Sequence, residues 1–244
     1  MIVGIDRSFK PRWVYRILQL CEPNICFKDI EDEVLDVVEY KGNRSKENVV
    51  QVIKRFYLYL EKRDGKLWTS NNYLHKLSLK YSLDTLKPVL LFVLLNNSEM
   101  AQFLHNKLNT FFMDKEEIDP LLIRKYAIEV LGDRSNVKKA VSYYLTILSE
   151  FDILNKVNSR AYTWKNKQLV LPNYVLMEIL KTYAFIENDY EIDVDSLYGN
   201  IAFSVFDLSN LESVLMEYNN EEWQYQKRVA DKKVIIYKHN VLGD

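Results

Sequence analysis

Of the chain's 244 residues, six are glycine and five are proline, whereas average usage would give about 12% of a chain, or roughly 29 residues. Glycine supplies tight turns and the close backbone approaches of phosphate-cradling loops. A chain this poor in it is constrained to long helices joined by few turns. The remaining composition agrees. With 48% hydrophobic and 27% charged residues, there is ample apolar material for a core, which excludes disordered, collagen-like and disulfide-framework classes. The length admits one large domain or two small ones.

The net charge of −1 is a sum over unlike parts. From Glu187 to Glu222 there are ten acidic residues and no Lys or Arg. Residues 223–244 carry five basic and two acidic residues, so the first 186 carry 28 basic and 22 acidic. A mildly basic body followed by an acidic segment hints at a nucleic-acid partner. Cys21, Cys26 and three scattered histidines (His75, His105, His239) form no metal-ligand set. No metal or other cofactor is expected, and the thiols read as reduced and cytoplasmic. Asp6, Arg7, Lys10 and Arg12 do not fit a secretory signal. The longest apolar run, 89–95, is far short of the ~20 residues of a membrane span.

Along the chain, hydrophobic periodicity predicts helices over 11–20, 27–38 and 45–62, the last with the stripe Val49, Val52, Ile53, Phe56 and Leu60. Asp64-Gly65 is a turn signal, with a short strand at 66–69. Residues 71–113 read as buried helices; 86–95 is apolar on nearly every side, as in a core helix. Further helices are predicted over 118–131, 135–155, 173–185 and 208–218, a hairpin over 161–171 and a strand over 233–238. Residues 187–200 read as an acidic loop. The expected divisions are 1–70, 71–117, 118–186 and a C-terminal extension, 187–244.

Two stretches echo each other about ninety residues apart. Gly42-Asn43-Arg44-Ser45 and Gly132-Asp133-Arg134-Ser135 each follow an amphipathic helix and precede another. Each Gly is suited to end one helix and each Ser to cap the next. Helix, Gly-containing turn, helix is the pattern of a helix-turn-helix, whose second helix enters the DNA major groove. The candidate contacts are Arg44, Ser45, Lys46, Asn48 and Gln51 in the first unit. In the second they are Arg134, Ser135, Asn136, Lys138, Lys139 and Ser142. Arg pairs bidentately with guanine and Asn or Gln with adenine, while Lys and Ser suit phosphates. The 161–171 hairpin makes the second unit winged-helix-like, with Lys165 and Lys167 at the expected wing tip and Arg160 at its base.

No nucleotide-binding or nucleophile-elbow glycine motif is present. Asp189, Glu191, Asp193 and Asp195 alternate with Tyr190, Ile192 and Val194. A nuclease-like metal site would need a catalytic Lys or a second acidic cluster beside them, so a solvated acidic loop is expected.

Ser8-Phe9-Lys10, the apolar blocks 89–95 and 103–112, and Arg134-Ser135-x-x-Lys138-Lys139 with Phe151-x-Ile153-Leu154 resemble the BrxA family, small DNA-binding proteins of BREX phage-defence systems. The resemblance covers roughly residues 8–175 and implies a helical DNA-binding protein without established catalytic residues. It gives no counterpart for 187–244. The expected fold is mainly α: helix-turn-helix units around a central helical block, a winged-helix-like second half and a small β contribution. The expected function is non-enzymatic binding of double-stranded DNA. The alternatives are docking on protein subunits of a larger complex, or RNA binding.

Overall fold

In the computed structural model, residues 4–158, 161–228 and 232–242 are described. The chain is mainly helical, with three small antiparallel sheets among the described residues. Helices α1 (Pro11–Leu20), α2 (Glu31–Val37, led by a 3-10 turn at Phe27–Ile30) and α3 (Asn43–Tyr57) precede the hairpin of β1 (Leu60–Arg63) and β2 (Lys66–Thr69). Helices α4 (Tyr73–Lys80) and α5 (Leu83–Asn97) follow. Next come α6 (Glu99–Phe112), β3 (Glu117–Ile118), α7 (Pro120–Leu131), α8 (Ser135–Glu150), β4 (Leu154–Lys156) and β5 (Tyr162–Trp164). The last third holds α9 (Asn173–Glu187), β6 (Glu191–Asp193), α10 (Val194–Gly199), α11 (Leu211–Glu217), β7 (Trp223–Lys227), β8 (Lys232–Ile236) and α12 (His239–Leu242).

One arrangement recurs three times. A helix, a short strand, two further helices and a hairpin follow in order, and the last strand lies between the other two. In the second unit the order is β3-β5-β4, with Ile118 opposite Tyr162 and Leu154 opposite Trp164. In the third it is β6-β8-β7, with Ile192 and Tyr225 both opposite Val234. In the first the leading strand is reduced to a bridge from Cys26 to Trp68, braced by Asn24 N–H to Thr69 O (2.8 Å) and Thr69 N–H to Ile25 O (2.9 Å). This is the connectivity of a winged helix. The echo seen at Gly42 and Gly132 is thus one corner of a whole repeated unit. The second of these repeated units starts at α6 and the third at α9.

Helix α5 holds the units together. Residues Val89 to Leu95 are all buried, and α1, α3, α4, α6 and α9 pack against it. A helix covered on every side needs apolar residues on every side, which is what its sequence shows. Ser82 caps it by accepting from Thr85 N–H, and Pro88 sits inside the helix.

Several local expectations are corrected. The 161–171 hairpin does not form. Only its first strand, β5, exists; it pairs with β4, and Leu169 instead bridges Phe206 in the third unit. The polar loop 165–167 therefore follows the sheet and is not the tip of a wing. Helix α3 ends at Tyr57, and residues 60–63 pair with β2 around Asp64 (φ 50°) and Gly65 (φ 77°). Two consecutive positive-φ residues match the twist of a two-residue hairpin turn, which is why Asp-Gly serves there. Neither Ser45 nor Ser135 caps its helix: Gly42 and Arg134 occupy those positions, with no side-chain cap. Gly132 does end α7 at φ +86°, whereas Gly42 has φ −107°. Residues 187–200 fold as β6 and α10, not a loop.

Candidate nucleic-acid interface

Helices α3 and α8 are the second helices of the first two helix-turn-helix pairs. Each lays an apolar stripe on the core, with Val49, Val52, Ile53 and Phe56 in one and Val137, Val141, Tyr144 and Leu148 in the other. Stripes of this spacing aim the opposite face outward. Arg44 and Gln51 on α3 are exposed, as are Ser135, Asn136, Lys139 and Ser142 on α8 and Arg134 at its start. Ser45, Lys46 and Asn48 are half-buried.

The candidates differ in how far they are already engaged. Lys46 Nζ lies 3.3 Å from Asp36, and Lys138 Nζ lies 2.6 Å from Asp133. Ser142 accepts from Arg124 at 3.1 Å. Among the described residues, Arg44, Arg134, Lys139 and Lys167 form no ion pair. Lys165 is bound 2.6 Å from Asp152, which also pairs with Lys87 of α5. Partial burial raises the Asp152 pKa, but hydrogen bonds from Lys165 and Lys87 outweigh it and hold the carboxyl below its ordinary range. Lys165 thus ties the second sheet to α5 rather than projecting from a wing. Arg160 lies outside the described residues.

The structure also brings together what the sequence separates. Asn48 of α3 and Asn136 and Lys139 of α8 line one cavity of about 210 Å³, together with Ile5, Asp6, Arg7 and Tyr143. The N-terminal segment fastens the two helices across it. Arg55 of α3 donates to Gly4 O (3.0 Å) and to Asp6 (2.9 Å), and Arg7 donates to the Tyr143 hydroxyl of α8 (2.8 Å). Phe9 sits edge-on to Tyr57 at 5.7 Å and to Phe151 at 6.4 Å, so its ring bridges the first and second units.

Periodicity and residue type give no signal for the roles of Arg7 and Arg55, nor for the first unit's complete wing with exposed Lys62 and Lys66 beside the Asp64-Gly65 turn. The turn signal and the 66–69 strand were visible, but the partner strand was absorbed into the preceding helix.

The third unit differs in charge. Its equivalent helix, α11, carries Glu212 and Glu217, and Glu212 is paired with Lys227 and Lys232. Glu187, Asp189, Glu191 and Asp193 surround a cavity of about 310 Å³, yet each is engaged. Glu187 accepts from Asn96, Asp189 from Glu191 N–H, Glu191 from Lys233 and Asp193 from Asp195 N–H. Among the described residues no group of His, Cys, Asp or Glu is placed to hold a metal ion, and no helix is long and apolar enough to cross a membrane.

No protein-family model matches the chain, and neither a characterised protein nor a solved structure shows significant similarity to it.

Proposed function

We propose that the chain is a non-enzymatic double-stranded-DNA-binding protein that engages DNA through α3 and α8. One observation carries this reading: two winged-helix units bring their second helices to one cleft lined by Asn48, Asn136 and Lys139, while Arg44 and Arg134 at the starts of those helices are exposed and, like Lys139, form no ion pair among the described residues. Phosphate contacts by Arg and Lys supply affinity, and the asparagines and Gln51 suit base edges. The resemblance to the BrxA family makes an accessory role in phage defence the natural setting. A cytoplasmic location goes with that role.

Mobility-shift titration of the intact chain with duplex DNA at two salt concentrations tests it. The affinity should fall with salt at a log–log slope of about −0.9 per phosphate neutralised. No shift at low salt would refute the proposal, and preference for structured RNA in competition would reassign the ligand.

A second reading concerns the third unit. Its acidic α11 exposes Met216 at 62%, and Tyr198 of α10 is exposed at 58%. Carboxylates repel phosphate, so this copy of the fold suits a protein subunit of a larger complex better than DNA. Recovery of a stable protein partner that is lost on Met216→Asp would support it.

A further inference from the structure

The shared cleft restricts how α3 and α8 can sit on a duplex. An α-helix with its side chains is about 10–12 Å across, and the major groove is about 12 Å wide. Two such helices side by side do not fit one groove. Nor can they read half-sites one helical turn apart, about 34 Å centre to centre, because a single cavity of about 210 Å³ touches both. What fits between two helices that line a single cavity is the ridge that divides one groove from the next.

We propose, building on the DNA-binding reading above, that the cleft between α3 and α8 seats one sugar-phosphate strand of the duplex. One helix then lies in the major groove and the other rests on the outer edge of the same strand, since a helix about 10–12 Å across does not enter a minor groove of about 6 Å. The chemistry of the lining suits a phosphodiester. Asn48, Asn136 and Lys139 have no side-chain hydrogen bond or ion pair among the described residues, so amide and ammonium donors are open. Arg7 spends one N–H on Tyr143, which fixes its plane and leaves other donors of its fork. Asp6 is the one carboxylate in the lining, and Arg55 pairs with it at 2.9 Å. Because the N-terminal segment holds both helices, the seat is preformed and needs no closure on binding.

The test uses the intact chain and random-sequence duplexes of increasing length. A single-strand seat predicts one continuous footprint. Affinity per binding position should therefore level off by roughly 16 base pairs, one and a half turns. Lys139→Gln should weaken binding roughly tenfold. Combined with Asn48→Ala, the loss should depart from the product of the single effects by roughly threefold or more, since both side chains would touch one phosphate. Thermal transitions of the variants serve as the folding control. A tenfold further gain between 16 and 26 base pairs would overturn the shared seat, and so would strictly multiplicative effects; either leaves DNA binding itself standing. Failure to bind any duplex would overturn both.

Discussion

Arg7 donates a 2.8 Å hydrogen bond to the hydroxyl of Tyr143, 136 residues further along the chain. That contact joins the N-terminal segment to the exposed side of α8, while Arg55 joins the same segment to α3. The relative placement of the two helices therefore depends on residues that belong to neither helix-turn-helix pair.

Removing only that hydroxyl isolates the contact. Tyr143→Phe should cost about 1 kcal/mol of stability, the net value of one partly buried hydrogen bond. It should weaken duplex binding by more than the stability loss explains, because Arg7 loses its orientation. Denaturant unfolding and a mobility-shift titration on the same preparation separate the two effects. Unchanged affinity would show that Arg7 does not help form the interface.

Adjacent lysines on α8 should behave differently. Lys138 is held by Asp133, whereas Lys139 has no ion pair among the described residues. Lys139→Gln should reduce the salt slope by about 0.9. Lys138→Gln should reduce it by clearly less, since part of its charge is already neutralised locally. Equal slopes for the two variants would contradict this ordering.

His105 gives the protein an acid sensitivity. Its ring is buried and has no hydrogen-bond partner among the described residues. Burial lowers its pKa from 6.5 to about 4. Above pH 6.5 the ring is neutral in both states and contributes no pH dependence. Between 6.5 and about 4 the unfolded chain takes up a proton that the folded chain refuses, so stability falls as pH falls. The loss approaches about 3 kcal/mol and levels off below about pH 4. His105→Phe should flatten that part of the stability profile, measured by urea unfolding between pH 4 and 7.

The paired glycines should answer a substitution unequally. Gly132→Ala places a side chain at φ +86°, where L residues are strained, and should cost about 1–3 kcal/mol. Gly42→Ala meets open space at an ordinary φ and should cost only the capping preference of glycine over alanine, below about 1 kcal/mol. Thermal unfolding of both variants decides it.

How much of this was legible depends on the range of the interactions involved. The mainly helical class, the central helix α5 and the outward-facing polar residues of α3 and α8 could be read from periodicity and composition, because those are local signals. The wings were misassigned because pairing is not local. β4 looked like the end of a helix until Trp164 was placed opposite Leu154, and β1 did so until Leu60 was placed opposite Thr69. Capping at Ser45 and Ser135 was a sound expectation of residue type, but the helices start one or more residues earlier than those serines would require. The third unit was hidden by its charge: the five carboxylates in 187–200 read as a loop, although Tyr190, Ile192 and Val194 are buried between them. The cleft could not be read at all, since it joins residues 5–7, 48 and 136–143.

The packing of α1, α6 and α9 against α5 means that the repeat is architectural and not modular. No unit closes its own apolar interior, because each borrows a wall from the same buried rod. Excising one would leave that wall facing water. The chain is therefore built to melt as one cooperative block, and a ligand gripping the first two units also restrains the third through a helix it never touches.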